Sequence, residues 1–224
     1  MKPLLNGRAI STLSDTVTLT AGTTPDASHS SFVVSPRSIA ADNTELSTLT
    51  MSVSDANGNP ISGIGSTLSI DVKNSQNAAP APGKVTISSL TETATAGVYT
   101  AFLKGTLADT YTLKPQANGS NIGSLSDSVT LTADTTPDSE RSSFSAAPNT
   151  IEADNSATST LILSVRDSYG NAVSGLASNL SLEVKDAQGQ APAVGKITTS
   201  SVAEIATPGT YTATLKGTLS LIHI

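Results

Sequence analysis

Apolar and polar residues alternate with a period of two along most of this chain. Leu49, Met51 and Val53 alternate with Thr50 and Ser52. Leu68, Ile70 and Val72 alternate with Ser69 and Asp71. Tyr99, Ala101 and Leu103 alternate with Thr100 and Phe102, and Val129 and Leu131 with Ser128 and Thr130. Strict alternation over four to eight residues is the signature of a strand buried on one face. The same phase returns at Leu161, Leu163, Val165, at Leu180, Leu182, Val184, and at Tyr211, Ala213, Leu215. Turn signals separate the runs. Asp55-Ala56-Asn57-Gly58-Asn59-Pro60 and Asp167-Ser168-Tyr169-Gly170-Asn171 are rich in residues that form turns, and Asn118-Gly119, echoed by Asn6-Gly7, is a hairpin signal. No amphipathic helix is evident. Many short strands with turns between them predict an all-β fold of the immunoglobulin-like, Greek-key sandwich type.

The pattern is a repeat. Phe32 and Phe144, Asp55 and Asp167, and Tyr99 and Tyr211 are each 112 residues apart, and Lys2-Pro3 recurs as Lys114-Pro115. A period this long is a whole domain, not a solenoid turn. It divides the chain into residues 1–22, the C-terminal hairpin of a preceding, truncated unit; residues 31–133, one complete unit; and residues 143–224, a unit truncated at its C-terminus. The segments 21–30 and 133–143 are short linkers, so the units are expected to form a rod-like array. The repeat holds as far as Leu219. Ser220-Leu221-Ile222-His223-Ile224 then stands where Ala108-Asp109-Thr110-Tyr111-Thr112 would recur, and residues 220–224 are expected to be non-native. The last unit would expose a sheet edge, which the N-terminal hairpin of another molecule could complete by strand addition. Position 102, Phe in one unit and Thr214 in the next, is expected to face solvent. Tyr99 and Tyr211, each two residues before an alanine in the core-cysteine position, are expected to form tyrosine corners.

Composition narrows the function. The chain has no Cys, no Trp, three Phe and four Tyr, so its core is built from Val, Leu, Thr and Ala. A net charge of −6 without clustered Lys or Arg argues against nucleic acid or an anionic membrane as partner. No stretch approaches the ~20 apolar residues of a membrane span. The first residues are repeat sequence rather than a signal peptide, and the protein is expected to begin upstream.

Candidate chemistry is sparse. His29 lies in a linker and His223 in the irregular tail, and neither recurs. No nucleophile elbow, phosphate loop, dinucleotide fingerprint or metal-spaced Cys/His cluster is present. Asp26, Asp134 and Asp138 near the junctions, with Asp42 and Asp154 at strand entries, raise the question of calcium. That ion needs six to eight oxygens, and these carboxylates are scattered, so Asx-turns are the preferred reading. Asn6-Gly7-Arg8 has Asn118-Gly119-Ser120 as its counterpart and is read as a turn, not an adhesion motif. The lysines at 73, 84, 104, 185, 196 and 216 are read as a solvated face. No catalytic, cofactor-binding or metal-binding residue is assigned, no cofactor is expected, and the chain is not expected to be an enzyme.

Ala41-Asp42-Asn43, Ser47-Thr48-Leu49 and Val53-x-Asp55-x-x-Gly58-Asn59-Pro60-Ile61-Ser62-Gly63 resemble the group 1 bacterial immunoglobulin-like domain of the invasin/intimin adhesins. Gly97–Thr106, Tyr111–Gly119 and Ser128–Ala133 resemble the third extracellular domain of invasin. The resemblance covers residues 1–219. Ala172 departs from it where the family has Pro. It implies a tandem array on the bacterial cell surface, reaching the outer membrane only through a β-barrel outside this chain. The implied partners are neighbouring immunoglobulin-like domains, and a host receptor or glycan met through distal domains, also outside this chain. A spacer is therefore the expected role. The alternatives are modules that bind a host protein or glycan directly, and accessory modules of a secreted enzyme or phage tail. No family binding residue maps onto this chain.

Overall fold

The computed structural model describes residues 1–10, 12, 14–186, 188–219 and the backbone of 222–223. Among these there is no α-helix, and the longest helical segment is a single 3-10 turn at Gly65–Thr67.

Between Ser31 and Thr132 the chain forms two facing sheets. In the first, Ser31–Ser35, Ser47–Ser52, Val98–Gly105 and Val85–Ile87 lie side by side, with Thr91–Glu92 also pairing Val98–Gly105. In the second, Asp109–Ala117 is flanked by Leu68–Lys73 on one side and by Ser120–Asn121 and Asp127–Thr132 on the other. Ser38–Ala40 adds in parallel to Asp127–Thr132. This is the immunoglobulin-like order, with five strands in each sheet when the two-residue strands are counted. Alternation explains the pairing of the faces. Leu49, Met51, Tyr99 and Leu103 point inward from the first sheet and Tyr111, Leu113, Val129 and Leu131 from the second, all fully buried in one cluster. Burying each such side chain contributes about 1.5–3 kcal/mol. Phe102 points outward, as does Thr214 in the next unit.

The tyrosine expectation is corrected. Tyr99 lies on the strand between Ser47–Ser52 and Val85–Ile87. Its hydroxyl donates to the carbonyl of Ile61, 38 residues earlier, at 2.8 Å. The corner is made instead by Tyr111, near the start of the following strand, which donates to the carbonyl of Leu107 four residues upstream at 2.9 Å. Leu113, not Ala101, then holds the core-cysteine position. The alternation alone could not separate two inward tyrosines on consecutive strands.

From Ser143 onward the first sheet is rebuilt in the same register. Phe144 faces Leu163 as Phe32 faces Met51, and Leu161 faces Ala213 as Leu49 faces Ala101. Among the described residues the second sheet is not rebuilt. Leu180–Val184, expected as a strand, forms no ladder, whereas its counterpart Leu68–Val72 pairs with Leu113–Ala117. Next along the chain, Lys185–Asp186 pairs with Ile222–His223. The core shrinks accordingly into two small clusters around Leu161 and Tyr211. At the other end, Leu4–Leu5 and Arg8–Ala9 form a hairpin whose register repeats that of Gln116–Ala117 with Ser120–Asn121.

Candidate functional site

The densest polar constellation lies where the second unit meets the first. Asp167 ends the inward run Leu161, Leu163, Val165 and opens a turn that Gly170 allows at φ +87°. Its carboxylate is fully buried. Oδ1 accepts the backbone N–H of Tyr169 at 2.9 Å and of Asn171 at 2.8 Å. Oδ2 accepts Nδ2–H of Asn171 at 2.9 Å and the backbone N–H of Asp134, in the linker, at 3.1 Å. Burial pushes this carboxyl up. The bonds from Asn171, from Asp134 and from Tyr169 together outweigh burial and hold it below the usual carboxylate range.

Asn171, only 5% exposed, carries the contact into the preceding unit. Its Nδ2 also donates to the carbonyl of Thr106 at 3.1 Å, and its Oδ1 accepts the N–H of Ala108 at 2.8 Å. Tyr169 adds a bond from its hydroxyl to the carbonyl of Asp42 at 3.0 Å. One buried carboxylate thus fixes the turn and the linker, and the side-chain amide it orients grips a loop of the neighbouring unit.

The same knot recurs in the first unit. Asp55 accepts N–H groups from Asn57 and Asn59 at 2.9 Å, Nδ2–H of Asn59 at 3.1 Å, and the linker N–H of Gly22 at 2.8 Å. The Gly22 N–H, then the Asn59 side chain and backbone, hold its carboxyl well below the ordinary range. Here Asn59 is exposed. The turns had been legible, but not the junction contact. Its signal was the recurrence of Asp55 and Asn59 as Asp167 and Asn171.

The other candidates are dispersed. His29 Nδ1 lies 2.8 Å from Asp26, which also accepts the Ser28 hydroxyl; His29 and Ser28 are exposed and Asp26 half-buried in the first linker. The His223 side chain lies outside the described residues, and Arg8 is exposed in the N-terminal hairpin. Asp42 caps Thr44 and Glu45, Asp134 caps Thr136, Asp138 caps Glu140 and Arg141, and Asp154 caps Ser156 and Ala157. Among the described residues no three His, Asp or Glu are grouped to hold a metal ion. Lys73 and Lys185 pair with Asp71 and Glu183 on the surface.

Comparison with known proteins agrees with this architecture. The family model described as invasin, domain 3, matches residues 26–134 and again 138–221. The crystal structure of invasin, a bacterial integrin-binding protein, is similar with 25% identity and a TM-score of 0.58, over 89% of this chain and 39% of that one. InvD of Yersinia pseudotuberculosis matches with 24% identity and a TM-score of 0.57, over 89% of this chain and 55% of that one. The Escherichia coli adhesin FdeC matches with 23% identity and a TM-score of 0.55, over 99% of this chain and 70% of that one. The last two likenesses are of fold. No curated protein sequence matches. The chain spans about two fifths of the length of invasin.

Proposed function

Because this chain belongs to the invasin domain 3 family of bacterial immunoglobulin-like modules, we propose that its units are stalk modules of a surface adhesin. They hold a distal binding domain away from the outer membrane and carry out no catalysis. The units are residues 31–133 and 143–224, preceded by the hairpin of residues 1–22.

The observation that carries this reading is the Asp167–Asn171 junction. A spacer must resist bending between modules, and a linker alone does not supply that resistance. Here the linker N–H of Asp134, the carboxylate of Asp167, the amide of Asn171 and the loop Thr106–Ala108 form one bonded chain across the boundary. The chain is also poor in the usual anchors of recognition, with no Trp and four Arg.

The test removes one 112-residue module from the full-length adhesin displayed on cells. The proposal expects soluble receptor to bind the shortened adhesin with unchanged affinity while the reach of adhesion shortens. Saturable binding of residues 26–224 alone to host cells would replace the spacer with direct recognition.

A further inference from the structure

We propose that Asn118 is a site of spontaneous covalent modification, where the tip of a hairpin converts to isoaspartate through a succinimide. The unit of residues 31–133 holds two Asn-Gly pairs, Asn57-Gly58 and Asn118-Gly119. In such a pair the backbone nitrogen after asparagine is least shielded, because glycine has no Cβ. All four residues are exposed. The structure separates the pairs by what holds that nitrogen.

At Asn57 the nitrogen is engaged. Gly58 N–H donates to the carbonyl of Asp55 at 2.9 Å, and Asn57 N–H donates to the Asp55 carboxylate at 2.9 Å. The negative charge of Asp55 also disfavours the amide anion that must attack. At Asn118 the nitrogen is free. Asn118 and Gly119, at φ +49° and +76°, form the turn between the paired residues Ala117 and Ser120. Among the described residues Gly119 N–H meets no acceptor. A Cβ at Gly119 would meet nothing within 4 Å, so the ring that forms has room. Beyond the hairpin itself, the bond from Asn118 N–H to the carbonyl of Thr67, at 2.9 Å, ties the tip down.

The conversion balances with water as the only co-reactant. Gly119 N attacks Cγ of Asn118. The N–Cγ bond forms, the Cγ–Nδ2 bond breaks, and ammonia leaves, carrying the proton that Gly119 N gave up to solvent. Water then opens the ring. Opening at the main-chain carbonyl of Asn118 leaves isoaspartate, with the chain running through Cβ and Cγ. Opening at Cγ leaves aspartate. Either product adds a negative charge, and isoaspartate also lengthens the main chain by a carbon.

The tip sits against the linker. Thr23, Thr24 and Pro25 line a groove with Ile64, Thr67 and Asn118. Just beyond the hairpin, Gly123 approaches Ala27 so closely that a Cβ on it would lie 2.5 Å from the Ala27 Cβ. A longer chain and a new charge at Asn118 weaken the hold on Thr67 and loosen this end of the unit. The conversion does not depend on the stalk reading; in a stalk it softens a joint with age.

Tryptic mapping of the folded 224-residue protein, held at mildly alkaline pH, tests this, because Asn57 and Asn118 fall in different peptides. The Asn118 peptide should gain the mass of acid over amide about 10-fold faster than the Asn57 peptide, since opening the Asp55 turn breaks a charge-assisted bond that the hairpin lacks. An isoaspartate-specific methyltransferase should label the converted Asn118 peptide. In denaturant the two rates should converge. Equal rates in the folded protein overturn the proposal, as does an Asn118 peptide that keeps its amide. A difference that persists in denaturant also overturns it, because its cause would then lie in the sequence and not in the fold.

Discussion

Asn171 donates to the carbonyl of Thr106, 65 residues earlier in the chain and in the preceding unit, at 3.1 Å. Its counterpart Asn59 is exposed and is held only by Asp55 in its own turn. Position in the repeat is the same, and the neighbour makes the difference. Asn171→Ala removes two bonds across the boundary and one to a buried carboxylate, and should destabilise the protein by about 2–3 kcal/mol. Asn59→Ala should cost less than about 1 kcal/mol. Denaturant unfolding of both variants measures the gap.

Acid should loosen the junction. Asp167 and Asp55 titrate below their ordinary range in the folded chain. Their contribution is fully present above the unfolded carboxylate value of about 3.9 and is lost as pH falls through the lower folded values. Amide protection at Asp134 and Gly22, measured relative to the unstructured rate at each pH, should therefore hold down to about pH 4 and fall below it. Asp167→Asn should flatten the response at Asp134 while leaving Gly22 unchanged.

The two buried tyrosines of the first unit should separate by substitution. Tyr111→Phe deletes one bond, to Leu107, at a cost of about 1–1.5 kcal/mol. Tyr99→Phe deletes the bond to Ile61 and also the acceptor of the Ile64 N–H, and should cost more, about 2–3 kcal/mol. Thermal unfolding followed by circular dichroism orders the pair.

Gly97 sits at φ +71°, and a Cβ there would meet the Val53 carbonyl at 2.7 Å and Pro60 Cβ at 2.9 Å. Gly209 repeats this at φ +66°, with Val165 O at 2.8 Å. Gly97→Ala and Gly209→Ala should each destabilise by about 2 kcal/mol or more, because backbone strain and contact with rigid backbone atoms add. Denaturant midpoints report both.

Local periodicity made much of the fold legible. The inward phase of Leu49, Met51 and Val53, and of Tyr99, Ala101 and Leu103, follows from alternation, since burial on one face of a strand is a local property. Leu180, Leu182 and Val184 show the limit. They carry the same alternation, yet a strand also needs a partner, and pairing is not local. The site was less legible for a related reason. Asp55 and Asp167 look like turn residues, and they are. That Asn171 also reaches Thr106 depends on how one unit sits on the next, which no window of sequence contains.

Spin labels at Thr86→Cys and Thr198→Cys, exposed positions one repeat apart, measure the distance between units by double electron–electron resonance. The account predicts a single narrow distance distribution that broadens when Asn171→Ala is added. A distribution already broad without that substitution, and unchanged by it, would contradict a junction that holds the units in fixed relation.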